Sequence, residues 1–114
     1  MRKTTLRKKH GPEYYIQKRI IDFLRAREWL VKPTHGSQFQ SGFPDLFATH
    51  AIYGMRWIEV KNLEKYEFTP AQLIWFPQFC AHGSGIWILV NDTEDEYQKL
   101  FKPFNWWQYL KVMK

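Results

Sequence analysis

The stretch SGFPDLFATHAIYGMRWIEVKN, Ser41 to Asn62, constrains the fold more than any other part of the chain. Arg56 to Lys61 reads as a strand. Its two-residue period puts Trp57, Glu59 and Lys61 on one face and Arg56, Ile58 and Val60 on the other. Asp45 to Thr49 is a second strand candidate, and Tyr53-Gly54 marks a turn between the two, so they are expected to form a hairpin. Such a hairpin carries a carboxylate and an ammonium on one face, next to the aspartate that opens its first strand.

The flanking sequence supplies the rest of a mixed sheet. Gly11-Pro12 opens a helix with Pro12 in its first turn. Ile16, Ile20, Phe23 and Leu24 then recur at helical spacing, which predicts a helix to about Arg27. Trp29 to Lys32 is a short strand stopped by Pro33, and Thr34 to Gly42 is a polar loop. Thr69-Pro70-Ala71-Gln72 has the form of a capping box, opening a helix to about His82 that Pro77 should bend. Ile86 to Val90 is a continuous apolar run, as in a buried strand. Thr93 and Glu96 offer a second capping box, and FNWWQYLKVMK is a possible last helix capped by Asn105. The order helix, strand, strand, strand, helix, strand, helix implies a mixed β-sheet flanked by helices on both faces.

At 114 residues the chain is expected to be one domain, 11–114, preceded by a basic arm at 1–10. Its 17 Lys and Arg against 11 Asp and Glu give a formal charge of +6, which favours polyanionic partners, nucleic acid or an anionic membrane surface. No apolar run is long enough to span a membrane. The basic start has no apolar segment after it, so it does not read as a secretory signal. A single cysteine, Cys80, fits a reducing, cytoplasmic setting. Cys80 reads as a small buried hydrophobe. His10, His35, His50 and His82 lack zinc spacing with it.

The chemistry rests on three acids and a lysine. Glu59 and Lys61 lie about 7 Å apart along their strand, near Asp45. Glu13 shares a helical face with Gln17, Ile20 and Leu24 and should point toward the sheet. Two carboxylates at ~4 Å repel by about 1 kcal/mol in water and ~4 kcal/mol at an effective dielectric of 20. A divalent cation removes that repulsion, and oxygen ligands suit Mg²⁺ or Mn²⁺. Each piece alone is weak. At roughly 6% usage of each residue, about 0.4 Glu-x-Lys pairs are expected by chance in a chain of this length. Pro44-Asp45 is also a turn signal, and Glu13 also suits a helix dipole. The ordered combination is the informative feature.

GFPDLF, then WIEVKN, then FTPAQ, preceded by Glu13 and Gln17, resembles the VRR-NUC branch of the PD-(D/E)xK nucleases over about Glu13 to Val90. The resemblance implies a restriction-endonuclease-like fold and metal-dependent cleavage of DNA. It implies catalytic roles for Asp45, Glu59, Lys61 and Glu13, and a place for Gln72 near the scissile phosphate. It also implies metal ligation by Asp45, Glu59, Glu13 and the carbonyl of Val60. Stand-alone, phage-type members act as homodimeric resolvases of Holliday junctions, which makes four-way DNA the expected partner. A restriction-like or nicking nuclease, and a DNA-binding module without catalysis, are the alternatives. His35 and Ser37 are candidate DNA contacts or ordinary loop polarity. The aromatic run Phe101 to Tyr109 is the candidate dimer interface, and Trp106-Trp107 reads as core or interface ahead of a base-stacking platform.

Overall fold

A computed structural model describes residues 11–34 and 41–110. The 1–10 arm, His35 and Ser37 lie outside those residues. The elements are α1 (Pro12–Arg25), β1 (Leu30–Pro33), β2 (Leu46–His50), β3 (Gly54–Val60), α2 (Pro70–Ala81), β4 (Ile86–Leu89) and α3 (Glu94–Gln98). Two 3-10 turns follow, Lys99–Phe101 and Trp106–Tyr109.

The strands form one sheet in the order β1-β2-β3-β4. The first two pairings are antiparallel; β3 and β4, joined through α2, are parallel. The expected hairpin is present, with Leu46 opposite Ile58 and Phe47 opposite Trp57. Gly54 opens β3 at φ 87°, a left-handed conformation that glycine adopts without steric cost.

The alternation of β3 divides the core in two. One face carries Val31, Leu46, Ala48, Ile58 and Val60, buried against Ile20 and Leu24 of α1 and against Tyr97 and Leu100. The opposite face carries Ile86 and Ile88 under Phe76 of α2 and Trp106, with Trp57 and Phe68 packed around them. The sheet therefore has helices on both faces, as a mixed α/β domain should.

Several boundaries differ from expectation, each for a local reason. Helix α1 ends at Arg25 because Glu28 turns to φ 71° and the Trp29 amide closes on the Leu24 carbonyl at 3.1 Å. That is a left-handed C-terminal closure, made here by a residue other than glycine. Trp29 is in the core, not in β1, and its Nε1 donates to the Tyr97 hydroxyl at 3.0 Å. Pro33 belongs to β1, pairing with Leu46; an edge strand tolerates the missing donor. Asp45 sits just before β2 and does not open it.

The Thr69 capping box is complete, with both reciprocal bonds to Gln72. The second box is half formed. Thr93 accepts from the Glu96 amide, but Glu96 Oε1 accepts instead from the Val90 amide at 2.9 Å and the Lys99 ammonium at 2.7 Å. The Asn105 side chain makes no cap bond to the turn that follows it. Its Oδ1 accepts from the Ile88 amide at 2.8 Å, satisfying a donor of edge strand β4. Phe104 and Trp106 turn into the domain's own core, while Phe101 and Trp107 remain exposed.

Candidate active site

Residues from four parts of the chain meet where β2 begins and β3 ends. Thr34 fixes the first of them. Its amide donates to the Asp45 carbonyl at 2.9 Å, and its hydroxyl donates to the carbonyls of Pro44 and Asp45. Gly42 seats the same loop against α2. Its φ is +88°, and an added Cβ would lie 2.5 Å from the Trp75 ring and 3.2 Å from the Ala71 carbonyl oxygen. A side chain there would have to push the Trp75 ring aside while holding a left-handed φ.

Held this way, Asp45 links to β3 twice. Its amide donates to Glu59 Oε1 at 3.1 Å, and its Oδ2 accepts from the Val60 amide at 2.8 Å. The other oxygen of Glu59, Oε2, accepts from Gln72 Nε2 at 2.8 Å and meets Lys61 Nζ at 3.1 Å. Lys61 also donates to the Glu67 carbonyl at 2.8 Å and to Gln72 Oε1 at 3.4 Å, with the Phe68 ring 4.6 Å away. Glu13 approaches from α1, and its Oε2 accepts from the Asn62 amide at 3.2 Å.

Burial gives this network its electrostatic character. Glu59 is 2% exposed and Lys61 3% exposed. Loss of hydration and, second, the Asp45 carboxylate push Glu59 up from 4.5 to about 8, against the opposing pull of Lys61 and Gln72. The ion pair at 3.1 Å thus fails to offset what burial and a like charge do to the carboxyl. Cys80 is half-buried, and burial raises its thiol.

The donor set suits a hard divalent cation. Mg²⁺ is commonly held by one or two carboxylates with waters completing the shell, and Asp45 with Glu59 could supply them. A cation there would act against the like-charge repulsion that raises Glu59. Among the described residues, no three His, Cys, Asp or Glu side chains gather closely enough to cage an ion by themselves. Protein ligation beyond the pair would therefore draw on backbone oxygen.

No protein-family model matches the chain, and no curated protein matches it. A solved structure described as a VRR_NUC domain superposes with a TM-score of 0.64 at 23% sequence identity, over 82% of this chain and 97% of that one. The chain has the VRR-NUC fold. In that frame it is one restriction-endonuclease-like domain, a mixed sheet between helices.

Within the VRR-NUC fold, the sequence-predicted residues Asp45, Glu59, Lys61 and Gln72 come together directly, and Val60 joins them through its amide. Glu13 reaches the same end of the sheet through Asn62. Gln17, on the same face of α1, is half-buried. Sequence reasoning missed Thr34, Gly42, Asn62, Glu67 and Phe68 as supports. Asn62 and Glu67 act through backbone groups and Gly42 through its lack of a side chain, while Thr34 acts through both its amide and its hydroxyl on backbone carbonyls, and such contacts leave little trace in a motif. Phe68 could have been noticed from its place directly before the Thr69 cap.

Proposed function

We infer that the chain is a metal-dependent endodeoxyribonuclease that hydrolyses phosphodiesters with Mg²⁺ or Mn²⁺, acts on branched and above all four-way DNA, and works as a homodimer inside the cell. The observation that carries the hydrolytic part is the unbroken network of Asp45, Glu59, Gln72 and Lys61 on one sheet face. Such a network costs stability when its charges are buried, and it acquires a purpose if it handles a phosphate.

Asp45 and Glu59, with the Val60 carbonyl, are the residues that would hold the ion, and Glu13, bonded to the Asn62 amide at the same end of the sheet, would reach it only through a bound water. When bound, such an ion polarises a phosphoryl oxygen and lowers the pKa of its water. Lys61 orients the attacking water and offsets charge on the phosphorane-like transition state. Gln72 contacts both Glu59 and Lys61, keeps them in register, and faces the scissile phosphate. The net charge of +6 brings the polyanion to the site.

Four-way DNA presents two strands for symmetric cutting, and a two-fold dimer would present two sites related in the same way. The test is to incubate linear, flapped and four-way DNA with Mg²⁺ or Mn²⁺, and to measure mass in solution by light scattering. Paired cuts in the junction by a dimer are expected. A monomer that nicks linear DNA as fast as junctions overturns the junction and dimer parts. No cleavage of any substrate overturns the nuclease reading.

A further inference from the structure

The polar network occupies only one end of its sheet face. Trp57 precedes Glu59 by two residues on β3, about 7 Å along the same face. On α2, Trp75 and Phe79 follow Gln72 by three and seven residues, so they continue along its side of the helix. Phe43 precedes Asp45 by two residues. Together these rings line an open cleft of about 380 Å³, with Gln78 and His82 at its edge.

Three of the rings brace one another. Phe43 stacks on Trp57 with centroids 5.8 Å apart and 29° between planes, and Phe79 meets both edge-on at 5.4 and 5.9 Å. Trp75 closes the cleft from α2 and has no ring contact among the described residues. It is 48% exposed, and Phe43 is 40% exposed. Aromatic surface left in water next to a polar site is a feature that calls for a ligand.

We propose that this cleft binds an unpaired nucleobase of the DNA whose phosphate lies at Asp45, Glu59 and Lys61, so that the substrate is selected by an unstacked base beside the cut. This rests on the nuclease reading for the placement of the phosphate. Three considerations favour a base over other occupants. The cleft shares strand β3 with the network, since Trp57 in its wall precedes Glu59 by two residues, about 7 Å along the same face. The chain carries a charge of +6, complementary to DNA. Gln78, His82 and Ser84 add hydrogen-bonding side chains to a lining otherwise made of rings, the combination that holds a flipped base. A base in a regular duplex cannot reach such a cleft, whereas one at a branch, gap or flap can.

The experiment uses the full chain in EDTA, with DNA carrying 2-aminopurine either unpaired at a branch or fully paired. Stacking should quench the unpaired probe and leave the paired one unchanged. Trp75→Ala should lower the ratio of affinities for unpaired-base over fully paired DNA by roughly 5- to 150-fold, the range of one base–aromatic stack. Trp75→Phe, which keeps a ring, should retain most of that ratio. An unpaired probe whose fluorescence the wild-type protein leaves unchanged overturns the proposal. So does a wild-type dimer that Trp75→Ala converts to a monomer while the affinity ratio is kept, because the cleft is then a contact between copies. Since no divalent cation is present, failure of the nuclease reading is read separately, from absent cleavage when Mg²⁺ or Mn²⁺ is added.

Discussion

Glu59→Gln should make the protein more stable at alkaline pH and not at acid pH. Glu59 rises from 4.5 to about 8 on folding, first through burial and second through Asp45. A carboxyl with a raised folded pKa holds its proton in the native state while the unfolded chain has already lost it. The native state is therefore penalised as pH rises through the window from 4.5 to about 8. At about 1.4 kcal/mol per pH unit, the full penalty above that window approaches roughly 5 kcal/mol. At about pH 5 most of it is absent. Glutamine removes the titration, but with its carbonyl oxygen toward Lys61 and Gln72 its amide nitrogen replaces the Oε1 that accepts from the Asp45 amide, which costs about 1–3 kcal/mol at every pH. The variant should thus be slightly less stable than wild type near pH 5 and about 2–4 kcal/mol more stable near pH 8.5. Urea denaturation of both proteins in EDTA at the two pH values reads this directly. Curves that keep a constant offset, within about 1 kcal/mol, would show that Glu59 does not carry a raised proton affinity.

Other perturbations separate chemistry from architecture. Lys61→Ala and Asp45→Asn should abolish cleavage of any DNA substrate while leaving the far-ultraviolet circular dichroism unchanged; a Lys61→Ala protein cutting at wild-type rate removes Lys61 from the mechanism. Titration calorimetry with Mn²⁺ should show binding that Asp45→Asn weakens, and EDTA should stop cleavage but not DNA binding; full activity after rigorous chelation refutes the metal. Gly42→Ala should cost about 1–3 kcal/mol through its left-handed φ and the collision with Trp75, measured by thermal melting, and a melting point equal to wild type would mean the loop is not seated on α2. Removing residues 1–10, with Arg2, Lys3, Arg7, Lys8 and Lys9, should flatten the salt dependence of DNA affinity by ~0.9 log units per lost phosphate contact; an unchanged slope makes the arm a bystander.

The parts of the site that were legible in the sequence are those governed by periodicity and capping. Glu59 and Lys61 share a face because a strand alternates, and the same rule puts Asp45 opposite them once the hairpin closes. Gln72 was legible as the capping partner of Thr69, and the box forms as written. The illegible parts depend on tertiary encounters. Nothing local marks the Glu67 carbonyl as the acceptor for Lys61. Asn105 looked like a helix cap because its neighbours are aromatic and basic, but the unpaired Ile88 amide at the sheet edge recruits it. Glu96 is drawn from its capping role by the Val90 amide and Lys99 in the same way. In each case a buried or edge donor outcompetes a local alternative, since an unsatisfied backbone group costs more than a lost cap.

Strand parity also explains why the aromatic cleft and the acidic network are inseparable. Trp57, Glu59 and Lys61 point the same way because a strand alternates, and they face α2 only while Phe47 faces Trp57 and Leu46 faces Ile58. A slip of one residue would send Trp57 and Glu59 into the α1 side of the core and turn Ile58 and Val60 out of it. The buried apolar set on the α1 side forbids that slip, because Ile58 and Val60 are fully enclosed there with Leu46 and Ala48. The register of the functional face is therefore enforced by the face that has no part in the chemistry. A polar network that costs stability can persist in so small a domain because the apolar residues on the reverse of the same strands hold it in place.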